Sequence, residues 1–272
     1  MEPVSVLFAD PVARAFAAGI LIAPLIASLG VFATLRRMAL FGEGIGHASL
    51  AGVAVAVIAG LAPLPVALAW GVLVAFVLYH LERSTKLPPD SVLGMLFTTS
   101  MALGIVLFSV FTGDEGLEVL EETLFGSVFS VSGLDLALAV VAAIVIFGWL
   151  LFAGRSLTFL SLSKDSAFVN GVNVGLHTLL LYLSLAAAIV FGVKLVGLIL
   201  VSALLVTPAA AARQVAGTFK GTMVATVVIA ELAVLIGLWS SIRFGLPSGA
   251  PIVLAATALF AATSLVSGIR KA

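Results

Sequence analysis

Apolar blocks as long as a bilayer crossing recur along this chain from residue 15 to residue 269, and no other feature restricts its fold so strongly. Residues 15–35, 91–113 and 244–269 carry no charge. Each reaches the roughly 20 residues that cross a ~30 Å hydrocarbon layer as helix. Residues 48–79 are also uncharged, but that run is too long for one crossing and Ala62-Pro63-Leu64-Pro65 interrupts it, so it reads as two helices. Residues 136–154, 176–193, 195–212 and 221–242 complete the set. With 62% hydrophobic and 10% charged residues, the chain holds more apolar surface than a soluble core of its size could bury. The expected fold is all-α, a polytopic bundle of eight or nine spans forming one domain over residues 1–272. The very short connection at 193–197 allows one flanking segment to be a half-helix packed inside the bundle.

Basic residues fall on alternate connections: Arg36 and Arg37, Arg83 and Lys86, Arg155 and Lys164, Arg213 and Lys220, Arg270 and Lys271. By the positive-inside rule these face the cytoplasm, which puts the N-terminus outside. The opposite connections include the acidic stretch 114–122. Formal net charge is zero, so nothing suggests a nucleic-acid partner; the surrounding partner is membrane lipid. There is no cysteine, so any metal must be held by oxygen or imidazole. Glu2, Asp10 and Arg14 do not make the start of a removable signal peptide. No G-x-x-x-x-G-K-[ST] loop occurs, so energy from ATP would have to come through another chain.

Polar residues in apolar surroundings mark the candidate sites. Glu43 and His47, four residues apart in F-G-E-G-I-G-H-A-S-L, share a face if helical, and a carboxylate with a neutral imidazole suits Zn²⁺ or Mn²⁺. Two ligands leave a site incomplete, to be filled by water or by the same pair from a second subunit. The plain alternative is a capping Glu43 and an interfacial His47. Charge-based topology puts the pair near the cytoplasmic end, unless residues 38–47 fold back into the bundle. Glu231 interrupts the apolar run 223–238 and either lines a pathway or pairs inside the bundle. The connection 155–175 holds S-K-D-S-A-F-V-N-G-V, a short helix closed by a glycine, which reads either as an ordinary surface element or as a docking peg; Phe168 and Val169, apolar in a cytoplasmic loop, favour docking.

Taken in order, R-R-M followed by F-G-E-G-I-G-H-A-S-L-A-G, then D-S-V-L-G-M-L-F, S-K-D-S-A-F-V-N-G-V, S-A-L-L-V-T-P-A-A-A-A-R and L-P-S-G-A-P-I-V-L resemble the permease subunit of the zinc/manganese family of bacterial ABC importers. The zinc permease is the nearer likeness. The resemblance implies an inner-membrane permease that is not itself an enzyme, working as a homodimer with two ATPases and an extracytoplasmic metal-binding protein. It also implies that Asp165, Ser166, Ala167, Phe168 and Gly171 form the coupling helix that engages the ATPase. No permanent cofactor is implied; the divalent metal is cargo. One departure stands out: family members usually carry aspartate where this chain has Glu43, one methylene longer. Two rivals compete on the residues, an ion-coupled secondary transporter using Glu231 and an intramembrane metallo-hydrolase, the latter lacking the second histidine of H-E-x-x-H.

Overall fold

The computed structural model describes residues 11–85, 87–111 and 132–271, and their regular structure is helical throughout. The acidic stretch 114–122, Lys86 and the first ten residues lie outside it. In chain order the elements are α1 (Pro11–Leu35), α2 (Phe41–Ala59), α3 (Pro63–Thr85), α4 (Pro89–Phe111), α5 (Gly133–Leu162), a short α6 (Lys164–Val169), α7 (Val174–Val196), α8 (Leu198–Val215), α9 (Phe219–Phe244) and α10 (Gly249–Lys271). All but α6 are long and apolar enough to span, which gives nine candidate crossings among the described residues.

The expected break at the Ala62–Pro65 motif is present. Gly60 is left-handed at φ 66° and its N–H bonds the carbonyls of Ala56 and Val57, after which Pro63 opens α3 with its preset φ. The turn before α2 differs from expectation. Arg37 takes φ 59°, rare for a residue with a side chain. The chain reverses there, and Met38 and Phe41 are fully buried. Consequently α2 begins at Phe41, so residues 41–47 are already helical, with Phe41, Gly42, Gly44, Ile45 and Gly46 buried.

Enclosure is uneven. In α1 and α2, 72% of the spanning window is buried inside the chain, against 17% in α10, so α1 and α2 form the inner layer and α10 the rim. Exposed Leu151 and Phe152 on α5 are the ordinary lipid face of a rim helix. Helices in lipid gain little from hiding apolar surface from one another and associate by close backbone approach. This explains glycine inside α2 despite its cost of about 1 kcal/mol per residue. A Cβ on Gly42 would come within 3.2 Å of the Ser202 Cα on α8, and one on Gly46 would strike Leu198.

Candidate metal site

The first two turns of α2 carry the site. Glu43 and His47 lie one turn apart, with Glu43 Oε1 3.9 Å from His47 Nε2. Two donors on one tetrahedral ion with bonds of about 2.1 Å sit roughly 3.4 Å apart, so a small rotamer adjustment suffices. Their surroundings are asymmetric. Phe41, Gly42, Gly44, Ile45, Gly46 and Ala48 are buried, whereas the Glu43 side chain is 57% exposed and that of His47 20%. A carboxylate opens outward from a helix that is otherwise enclosed.

Neighbouring helices fix the pair's position. The His47 ring lies 5.6 Å from that of Phe97, and Gly44 packs on Leu93, both on α4. At 1.5 Å per residue, Phe97 is roughly 12 Å along α4 and His47 roughly 18 Å from the far end of α2. The pair therefore lies part-way along the helices, with Glu43 on the open side of α2. Residues 38–47 do fold back, and the connection between α1 and α2 is recessed from the end where the basic residues lie. The α7–α8 turn is recessed as well, since Gly192 packs on Ile26, roughly 22 Å along α1. Helix ends meeting at such depth are tolerated where they are buried in protein or line a cavity.

Several polar atoms beside the pair are unused. His47 Nδ1 and Ser202 Oγ are buried and find no hydrogen-bond partner among the described residues. Ser202 lies against Gly42, so its hydroxyl faces the same turn of α2. Ser100 anchors the next turn by donating to the Ala48 carbonyl at 2.8 Å while accepting from Trp70 Nε1 at 2.7 Å. Among the described residues no group of three or more His, Asp or Glu gathers to hold a metal. The candidate site of one chain is thus two side chains, Glu43 and His47, on a partly open face. Glu231 stays apart: it is half-buried on α9, which packs on α1, α8 and α10.

The connection expected to dock a partner forms α6, capped by the Ser163 side chain accepting from the Ser166 N–H and ended by Gly171 at φ 72°. Ala167 is buried, while Phe168 is 77% and Val169 83% exposed. Sequence reasoning missed Phe97, Ser202, Glu82 and Tyr182. Glu82 could have been noticed as an acidic residue in a connection otherwise marked by Arg83 and Lys86.

Nine candidate spans among the described residues, packed as one helical bundle, define a multi-pass membrane protein. The chain belongs to the ABC 3 transport family, whose profile matches residues 9–267. It is 32% identical to the manganese transport system membrane protein MntC of Halalkalibacterium halodurans, over 91% of this chain and 84% of that one. It is also 28% identical to the high-affinity zinc uptake system membrane protein ZnuB of Haemophilus influenzae, over 89% and 92%. Among solved structures, PsaBC from Streptococcus pneumoniae in complex with Fab aligns with TM-score 0.81 and 27% identity, covering 96% of this chain and 93% of the other. The protein is therefore a multi-pass protein of the bacterial inner membrane, and its named relatives are permease components, not enzymes.

Proposed function

We propose that this chain is the permease of an ATP-driven importer that passes a divalent metal ion, zinc in preference to manganese, along a seam between two copies of itself. The observation that carries the reading is Glu43, exposed beside His47 on an otherwise buried α2. Two such pairs facing each other would supply two carboxylates and two imidazoles, a complete set for one ion, where a single chain supplies half. Incomplete coordination suits transport, because an ion must leave as readily as it arrives. Nitrogen and oxygen donors hold Zn²⁺ more tightly than Mn²⁺, which supports zinc; relatives named for each metal make manganese the competing cargo.

The basic connections would face the cytoplasm, with the N-terminus outside. There α6, through Asp165, Ser166, Ala167, Phe168 and Gly171, would sit in the cleft of a separate ATPase subunit. Two features support this: Phe168 and Val169 project from a capped helix, and the sequence has no phosphate loop. An extracytoplasmic binding protein would deliver the ion to the opposite face. The decisive experiment is ATP-dependent Zn²⁺ and Mn²⁺ uptake by proteoliposomes holding the full assembly. Uptake should vanish in Glu43→Ala and His47→Ala; uptake equal to wild type in both would rule the pair out, and uptake by the permease alone would rule the ATPase out.

A further inference from the structure

The end of the bundle that carries α6 holds a second carboxylate with no part in the site above. Glu82, in the last turn of α3, is 9% exposed, and each of its oxygens has its own donor. Lys164 Nζ donates to Oε1 at 3.2 Å and the Tyr182 hydroxyl donates to Oε2 at 2.6 Å. Lys164 opens α6, a helix that buries Ala167 alone, whereas Tyr182 is fully buried on α7. The Tyr182 ring lies 5.4 Å from the Phe41 ring, with the Arg36 guanidinium 5.5 Å from its centre. Phe41 is the first residue of α2 and lies two residues before Glu43. An unbroken series of contacts thus runs from α6, through one carboxylate and one phenol, to the helix that bears the candidate ligands.

We propose that Glu82, gripped by Lys164 on one oxygen and by Tyr182 on the other, is the linkage through which α6 sets the position of Phe41 and thereby of the Glu43–His47 pair. Separating either donor would leave a buried charge short of a partner, so displacement of α6 must carry α3 and α7 with it or exchange partners. Material for an exchange is at hand. Arg36 Nη1 and Asp90 Oδ1 are buried at this end and have no hydrogen-bond partner among the described residues. One unbonded donor atom, on the arginine that sits over the Tyr182 ring, and one unbonded acceptor atom at the same end would permit a second pairing scheme, the bistable element that coupling between distant sites requires. Glu82 and Tyr182 are then positioning residues: they touch no ion and act through α2.

The inference rests on the importer reading, and one set of measurements separates the two. Proteoliposomes with the full assembly are assayed for ATP hydrolysis and for Zn²⁺ and Mn²⁺ uptake together. Wild-type uptake that ignores ATP would sink the importer reading itself. Given ATP-driven wild-type uptake, Glu82→Gln and Lys164→Met should keep ATP hydrolysis while ions moved per ATP fall at least about fivefold. The Lys164 side chain is 65% exposed, so its replacement leaves the bundle folded even where Glu82→Gln does not. Because the chain has no cysteine, a spin label at Leu40→Cys reports the start of α2. Its spectrum should respond to ATP in the otherwise unaltered protein and stay unresponsive with Lys164→Met. Unchanged ions per ATP, hydrolysis and uptake falling in proportion, or an undiminished label response would each overturn the linkage.

Discussion

Two carboxylates of this bundle, Glu43 on α2 and Glu82 at the end of α3, are treated in opposite ways. Glu43 stands exposed on a buried helix with one imidazole for company, while Glu82 is buried and holds a donor on each oxygen. A saturated buried charge is expensive to disturb and therefore suits holding things in place. An unsaturated exposed one is cheap to engage and to release. On the proposed reading, the fold would separate the chemistry of handling an ion from the mechanics of moving helices, with the two carboxylates on different helices.

The contrast is sharpest where a substitution should affect one property and spare the other. Glu43→Ala and His47→Ala should lower uptake by about a hundredfold or more, beyond what loss of an outer-shell partner costs a metal site. Thermal unfolding of Glu43→Ala in detergent should match wild type, since that side chain is 57% exposed; a lowered midpoint would make it structural. Glu82→Ala should do the reverse first, destabilising by about 1–3 kcal/mol as the buried Tyr182 hydroxyl loses its acceptor. Denaturation of the purified permease checks this, and an unshifted midpoint would erase the distinction.

Smaller effects refine it. Gly46→Ala drives a methyl group into Leu198 and should cost about 1–3 kcal/mol unless α8 shifts, so its uptake and stability should fall together. Glu43→Asp keeps the charge and shortens the reach; competition between Zn²⁺ and Mn²⁺ should show a changed preference with uptake retained. Glu231→Gln should change uptake by less than about twofold, the weakest of these effects, because Glu231 sits on α9 apart from the pair. A large loss there would add a second polar station to the pathway.

The spans were legible in the sequence because hydrocarbon thickness imposes a length, and the break at Pro63 because glycine and proline act on their immediate neighbours. The Glu43–His47 pair was also legible, since spacing by four is a local property of a helix. Its depth was not. That depth depends on Phe41 meeting Tyr182, far along the chain, and on Gly42 and Gly46 touching α8, contacts that no periodicity encodes. Glu82 was missed for the same reason: its partners lie 82 and 100 positions away.

The glycine contact between α2 and α8 has a consequence for how such a bundle opens. Gly42 lies against the Ser202 backbone and Gly46 against the Leu198 side chain, so a shift of α2 along α8 would drive the helix into atoms already in contact, and on the proposed reading Glu43 and His47 would move with both helices together. Motion then has to be taken up at the ends of α2. The left-handed residues Arg37 and Gly60, flanking α2 at either end, are shaped for that duty, and rocking about them would tip the ion's seat toward one face of the membrane and then the other.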